Sequence, residues 1–347
     1  MIKFFRRIRQ QLLSQNRFSK YMLYAIGEII LVIIGILIAL NLNKKAEQKQ
    51  AEAKVDAILE DVLKELEIDI NEGTRLIYGY RLEDSLCSLV LNKKVTLDDY
   101  LATGENAWRL RSLVTGWNNY EINDDAYKLL IDNIDVIPDG YNQVVTSLKK
   151  LHNKFKPDVV EFNQMVKTLV NRNFDDYQEK FEWYGKSDSI SNMEFINYML
   201  HDFNYINKVK RHQVEATWTH RGAIAEYRMG AVIAYKEIAK VLDKSIDTLN
   251  FIISLKALQK RVGIYSNINI PEDRIELFLK KGYLVTKEMD KYLNHVIPLD
   301  SDNDFYLEWN GLVRFKSSDN KNFMTIYIGH EAKEYIKVDE KPIINYD

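Results

Sequence analysis

Residues Tyr21–Leu42 read YMLYAIGEIILVIIGILIALNL, and this stretch fixes how the rest of the chain is read. It carries one charged side chain, Glu28, in 22 residues. As a helix rising about 1.5 Å per residue it spans roughly 33 Å, close to the hydrocarbon thickness of a bilayer. The uninterrupted apolar run, Ile29–Leu40, is short for a span on its own, so Tyr21–Gly27 must contribute. Tyr21 and Tyr24 stand where interfacial aromatics belong. Two other readings compete with a membrane span. A cleaved signal peptide disagrees with the long basic region and with the lack of an A-x-A-like site after the apolar run. A core helix of a soluble protein disagrees with the length and the near-absence of charge.

Working outward, the flanks assign an orientation. Lys3, Arg6, Arg7, Arg9, Arg17 and Lys20 precede the segment with no acid among them. Lys44, Lys45, Lys49 and Lys54 follow it, mixed with Glu47, Glu52 and Asp56. Six basic residues against four favour a cytoplasmic N-terminus, with the body on the other side of the membrane. Phe5, Ile8 and Leu12 recur at helical spacing with Arg6, Arg7 and Arg9 off that stripe. Residues 1–20 thus read as a cytoplasmic basic amphipathic segment on the membrane surface, or as a flexible basic tail. Within the span, Gly27, Glu28, Gly35 and Ala39 are the candidates for helix packing. Gly35 and Ala39 form a small-xxx-small pair that would permit self-association, and Glu28 would either snorkel to the interface or meet another membrane helix.

The chain of 347 residues has a net charge of -2, but nine Lys/Arg against two acids in residues 1–49 leave the remainder at -9. A basic start on an acidic body suits a lipid bilayer as partner and speaks against nucleic acid. One cysteine, Cys87, excludes an internal disulfide framework. Only 14 glycines and five prolines favour helices over a loop-rich β fold.

The N-terminal motifs are more specific than their physics. Tyr24–Ile29 (YAIGEI) and Leu31–Leu40 (LVIIGILIAL), after the basic MIKFFRRIR start, resemble an uncharacterised Bacteroidota-type family of single-pass membrane proteins, a domain of unknown function. Lys44 and Lys45 stand where that family often carries a Trp. Ala126–Val136 (AYKLLIDNIDV) is similar to a second family segment, with Ile134 in place of its Gly. The resemblance implies a single-span inner-membrane protein with a helical extracytoplasmic part. It implies no activity and no catalytic residues.

The body reads as mainly α. Val55, Ile58, Leu59, Val62, Leu63 and Leu66 make an apolar stripe over Ala46–Ile70, which Gly73 is expected to end. A second helix is expected over 75–92 with Cys87 near its buried face. VIPDG at 136–140 reads as a turn. A helix follows with Val144, Val145, Leu148 and Leu151 inward, and Pro157 starts or kinks the next, with Val159, Phe162, Val166 and Leu169 inward. Residues 185–192 (GKSDSISN) read as a linker. Phe195, Met199 and Phe203 begin another helical pattern. A long helix over Val214–Leu242 carries Ile224, Tyr227, Ala231, Ala234, Ile238 and Leu242. Pro271, Glu272 and Asp273 are read as opening a helix closed by Lys280, Lys281 and Gly282. After Pro298, Asn310–Gly311 between apolar runs signals a hairpin, with further strands at 323–328 and 335–338. The expected architecture is a transmembrane helix (21–42), an extracytoplasmic helical bundle (43–298) and a small C-terminal antiparallel β meander (299–347).

No motif carries recognisable chemistry. None of the six histidines has metal-ligand spacing. His212 and His220, about 80° apart on a helix, are read with the others as surface or capping residues. Gly185-Lys186-Ser187 lacks the earlier glycine of a phosphate loop, since Lys180 stands there. Cys87, in LCSLVL, reads as a small core residue. Asp124–Asp125 and Asp175–Asp176 read as helix-start or surface acids, and the 21 tyrosines and five tryptophans as dispersed packing residues. No catalytic residue, cofactor or metal is indicated. The leading expectation is a membrane-anchored interaction or scaffold protein, with a homo-oligomer or a membrane protein as possible partner. The alternatives are a ligand-binding or sensory ectodomain and an extracytoplasmic enzyme with an unfamiliar site.

Overall fold

The stripe that begins at Val55 does not stop at Gly73. In the computed structural model, which describes residues 18–186, 192–246, 249–280, 282–288, 292–299, 303–307, 311–319 and 321–339, one helix runs unbroken as α1, Phe18–Leu91. Its 74 residues make it about 110 Å long. The expected helix end at Gly73 is therefore corrected, and the expected helix at 75–92 is the continuation of the same one. The reason is packing. A Cβ at Gly73 would lie 3.1 Å from Oη of Tyr120 and 3.5 Å from Cβ of Arg228, so the glycine allows a close approach. The actual stop is at Asn92–Lys93. Lys93 adopts φ 56°, and the Lys94 N–H donates to the Leu89 carbonyl at 2.9 Å, which satisfies a terminal acceptor.

Short helices follow: α2 (Leu97–Leu101), α3 (Glu105–Arg111) and α4 (Asp125–Asp132). The VIPDG segment forms two 3-10 turns, Ile134–Val136 and Asp139–Tyr141. Next, α5 (Asn142–Lys150) passes through a π-turn, Leu151–Phe155, into α6 (Lys156–Lys180). Pro157 neither starts a separate helix nor breaks this one. It sits in the first turn after the widened segment, where its missing N–H is tolerated. Asn192 and Asp202 cap α7 (Met193–His201) and α8 (Phe203–His212) by accepting backbone N–H bonds. A second π-segment, Gln213–His220, leads into α9 (Arg221–Val241). The expected stripe of α9 is inward: Ile224, Tyr227, Ala231, Ala234 and Ile238 are all buried. At Gly230 a Cβ would come within 3.0 Å of Leu151 and 3.1 Å of Phe155, so this glycine lets α9 press on the first π-turn. Ser254 caps α10 (Leu255–Gln259).

The C-terminal part corrects the expected fold class. It is not a small meander but a closed eight-stranded antiparallel barrel, and it begins at Gly263 rather than after Pro298. Its strands are β1 (Gly263–Asn267), β2 (Arg274–Lys280), β3 (Tyr283–Glu288), β4 (Tyr292–Pro298), β5 (Asp304–Leu307), β6 (Gly311–Ser318), β7 (Lys321–Ile328) and β8 (Glu331–Asp339). Each pairs with the next, and β8 closes on β1 through Ser266↔Ile336 and Asn267↔Tyr335. The helix expected from Pro271 to Gly282 is strand β2. Ile275, Leu277 and Leu279 alternate into the barrel, a period of two that the flanking charges disguised. The hairpin expected around Asn310–Gly311 joins β5 to β6, with Leu307 opposite Gly311; Asn310 itself lies outside the described residues.

Side chains fill the barrel. Tyr265, Leu277, Leu284, Val296, Phe305 and Phe315 belong to one buried cluster, joined by Ile253 and Leu258 from the segment before β1. This is the packed interior of a narrow eight-stranded barrel. The outer face of β4–β6 is also covered. Ile297, Tyr306 and Leu312 belong to the helical core, while their neighbours Val296, Phe305 and Val313 point into the barrel. The helical part has two cores. One runs along α1 from Val55 to Tyr80 with α4–α6, α9 and the barrel wall. The other gathers Cys87, Tyr100, Leu110, Tyr177, Trp183 and Tyr205 at the far end.

Candidate binding cleft

The membrane-facing candidates stand apart from both cores. Residues Ile29–Leu40 of α1 are exposed throughout, and nothing comes within 4 Å of a Cβ placed at Gly27 or Gly35. Glu28 is half-buried and Ala39 exposed on the same helix. No other described segment joins these four residues into a site. The helix containing them is long and apolar enough to cross a membrane. The apolar stripe of Phe5, Ile8 and Leu12 with its basic neighbours, and most of the 185–192 linker, lie outside the described residues.

The histidines are a correction. His152, His212 and His220 are buried rather than superficial. His220 Nδ1 lies 2.9 Å from Tyr80 Oη, and His152 stacks on Tyr127 with centroids 3.9 Å apart. Burial pushes both imidazoles down to about 4, so they are neutral at ordinary pH. Among the described residues, no group of three His, Cys, Asp or Glu is placed to hold a metal. Cys87 is buried as expected, and burial pushes its thiol well up, which leaves it inert.

Three buried polar centres tie α1 to the rest of the body. Arg228 of α9 donates to the carbonyl of Ile70 (3.3 Å) and to Thr74 Oγ1 (2.6 Å), and across to the carbonyls of Pro298 (2.5 Å) and Leu299 (2.6 Å). It bridges the helix and the barrel in one side chain. Asp84 accepts from Gln213 (3.0 Å), Trp218 Nε1 (3.0 Å) and the Gly329 backbone N–H (3.2 Å), and pins the β7–β8 turn. Asp69 accepts from the backbone and side chain of Asn123 and from the Tyr227 hydroxyl. Burial outweighs these bonds and raises its carboxyl to about 6. These groups are enclosed and mutually satisfied, so they serve as fasteners rather than as a reacting centre.

An open site exists at the second core. Trp108, Arg111, Ser112 and Thr115, from α3 and the turn after it, face Phe174 and Tyr177 of α6, then Trp183, Tyr184 and Phe195. They enclose a cleft of about 270 Å³. Its floor is rigid: Tyr177, Trp183 and Phe195 pack with centroids 4.6–6.0 Å apart. Its rim is exposed and aromatic, with Trp108 at 58%, Tyr184 at 42% and Phe174 at 39%. Arg111 is held in place by donating to the carbonyls of Tyr100 (2.6 Å) and Ala102 (3.1 Å). Across Trp108 lies a smaller cleft of about 150 Å³, lined by Glu83, Arg109, Trp117 and Asn118. Trp108 is the ridge between the two. Burial raises the Tyr177 phenol, so the floor stays neutral and apolar. The arrangement suits insertion of apolar or aromatic groups between rings.

Sequence reasoning read these aromatics as dispersed. They converge from separate segments, and the local signal was the density of FEWY at 181–184 beside the linker. Comparisons with protein-family models, with curated proteins and with solved structures give no match for this chain.

Proposed function

We propose that this chain is a single-span membrane protein that presents an interaction module, with the N-terminus in the cytoplasm and the body outside it. The observation that carries this reading is the continuity of α1, in which the exposed apolar stretch and the buried stripe from Val55 onward are one helix. Such a helix holds the body at a set height over the bilayer. The excess of Lys and Arg before the span supports the orientation. The likeness of Tyr24–Ile29 and Leu31–Leu40 to the Bacteroidota-type family supports a bacterial inner-membrane location.

The aromatic cleft is the contact surface in this proposal. At about 270 Å³ it is below the usual range for a small-molecule site and is open at the rim. That favours side chains inserted from a partner over an enclosed ligand. Exposed Trp and Tyr over a rigid floor are the residue types that anchor interfaces. A photo-crosslinking residue at Thr115, inside the cleft, should give one discrete adduct in intact membranes. Trp108→Ala should abolish it, and the same probe at Lys333 on β8 should give none. Equal capture from both positions, or none from either, would overturn the reading.

A further inference from the structure

The stalk of α1 between the apolar segment and the body carries a second cleft. Lys44, Glu47, Gln48, Ala51 and Glu52 fall on one helical face, and the 137–141 loop stands opposite, leaving an open space of about 760 Å³. The loop is braced against the stalk at both ends. Tyr141 donates to Asp56 at 2.7 Å, and Lys54 donates to Asn133 at 2.6 Å. The cleft starts two residues beyond Leu42, about 3 Å past the last apolar residue of the span, and Glu52 lies about 12 Å further along the axis. The headgroup layer is about 5–7 Å thick on each side, so the Lys44–Glu47 end of the cleft falls within it and Glu52 stands just beyond it.

Charge is ordered along it. The cation, Lys44, is at the membrane end. The carboxylates Glu47 and Glu52 stand beyond it along the helix, further from the hydrocarbon, and Asp139 faces the cleft from the loop. A zwitterionic glycerophospholipid has the matching order, with phosphate next to the glycerol and ammonium outermost. An anionic headgroup without an ammonium would meet the three carboxylates unpaired. Pro138 and Ile137 on the loop give the cleft an apolar lip on the same side.

We propose that this cleft seats the headgroup of a zwitterionic phospholipid, phosphate on Lys44 and ammonium among Glu47, Glu52 and Asp139. The loop then rests on the bilayer and braces the stalk upright. The inference depends on α1 spanning the membrane, so its test has two arms. Flotation of the full chain with vesicles reads the span. Native mass spectrometry of the full chain from micelles holding equal phosphatidylethanolamine and phosphatidylglycerol reads the cleft. The expected result is one retained lipid, several-fold enriched in phosphatidylethanolamine, with the preference reversed in Glu52→Lys/Asp139→Lys. Asp139 is exposed and Glu52 half-exposed, with neither in a core cluster, so unfolding should not accompany the change. Flotation with equal retention of the two lipids, or a preference unmoved by charge reversal, would overturn the headgroup site alone. Failure to float would overturn the membrane reading as well.

Discussion

The two halves of α1 are one helix in two surroundings. From Ile29 to Leu42 its large apolar side chains are about half exposed or more, and nothing in the body covers them. From Val55 to Val90 the same residue types are buried under α4–α6, α8 and α9. The difference is in pattern, not in content. The first half is apolar all round, as befits a helix long and apolar enough to cross a membrane. The second is apolar on one stripe, which a protein core satisfies. In the proposed membrane reading, such a helix links bilayer and body with no joint in it.

The strongest way to break the comparison is to cut the body half from the barrel. Arg228→Met would leave two carbonyls of β4 and its following residue, a carbonyl of α1 and the Thr74 hydroxyl without their donor. We expect a loss of roughly 3–5 kcal/mol, read by denaturant unfolding in detergent. Leu59→Ala should cost about 2–5 kcal/mol by the cavity it leaves, whereas Leu37→Ala in the exposed half should leave unfolding of the body unchanged. Equal effects of the two leucine changes would erase the distinction between the halves.

A finer test uses pH. The Asp69 carboxyl in the body half has a folded value raised to about 6, so its contribution to stability is present below about 4 and is lost as pH rises through 6. His220 and His152 act oppositely. Their folded values are lowered to about 4, so their contribution is present above 6.5 and is lost as pH falls toward 4. Asp69→Asn retains an acceptor for Asn123 and removes the first effect alone. Relative to the natural protein it should gain on the order of 2–3 kcal/mol between pH 4 and pH 7, measured by denaturant midpoints at both values. A constant difference would mean that Asp69 is not strained by burial.

The legible parts of the sequence were those written in local periodicity. The span, the stripe from Val55, the faces of α5, α6 and α9, and the β5–β6 hairpin all follow from spacing within a few residues. The barrel was not legible because its closure pairs Ser266 with Ile336 and Asn267 with Tyr335, a long-range fact that no window contains. In β2 the acid-rich start and lysine-rich end mimicked helix dipole signals and masked the alternation of Ile275, Leu277 and Leu279. Gly73 looked like a stop because its partners, Tyr120 and Arg228, are distant in sequence. The aromatic cleft was invisible for the same reason: Trp108, Phe174, Tyr184 and Phe195 meet only when α3, α6 and α7 pack.

The continuity of α1 is tested most directly by a distance measured along it. Spin labels at Lys45→Cys in the stalk and Ile68→Cys on the exposed face of the body half, in the full chain in lipid nanodiscs, are 23 residues apart. An unbroken helix predicts a narrow distribution near about 35 Å in double electron–electron resonance. A broad distribution, or a mean well below that value, would place a joint between span and body and contradict the account.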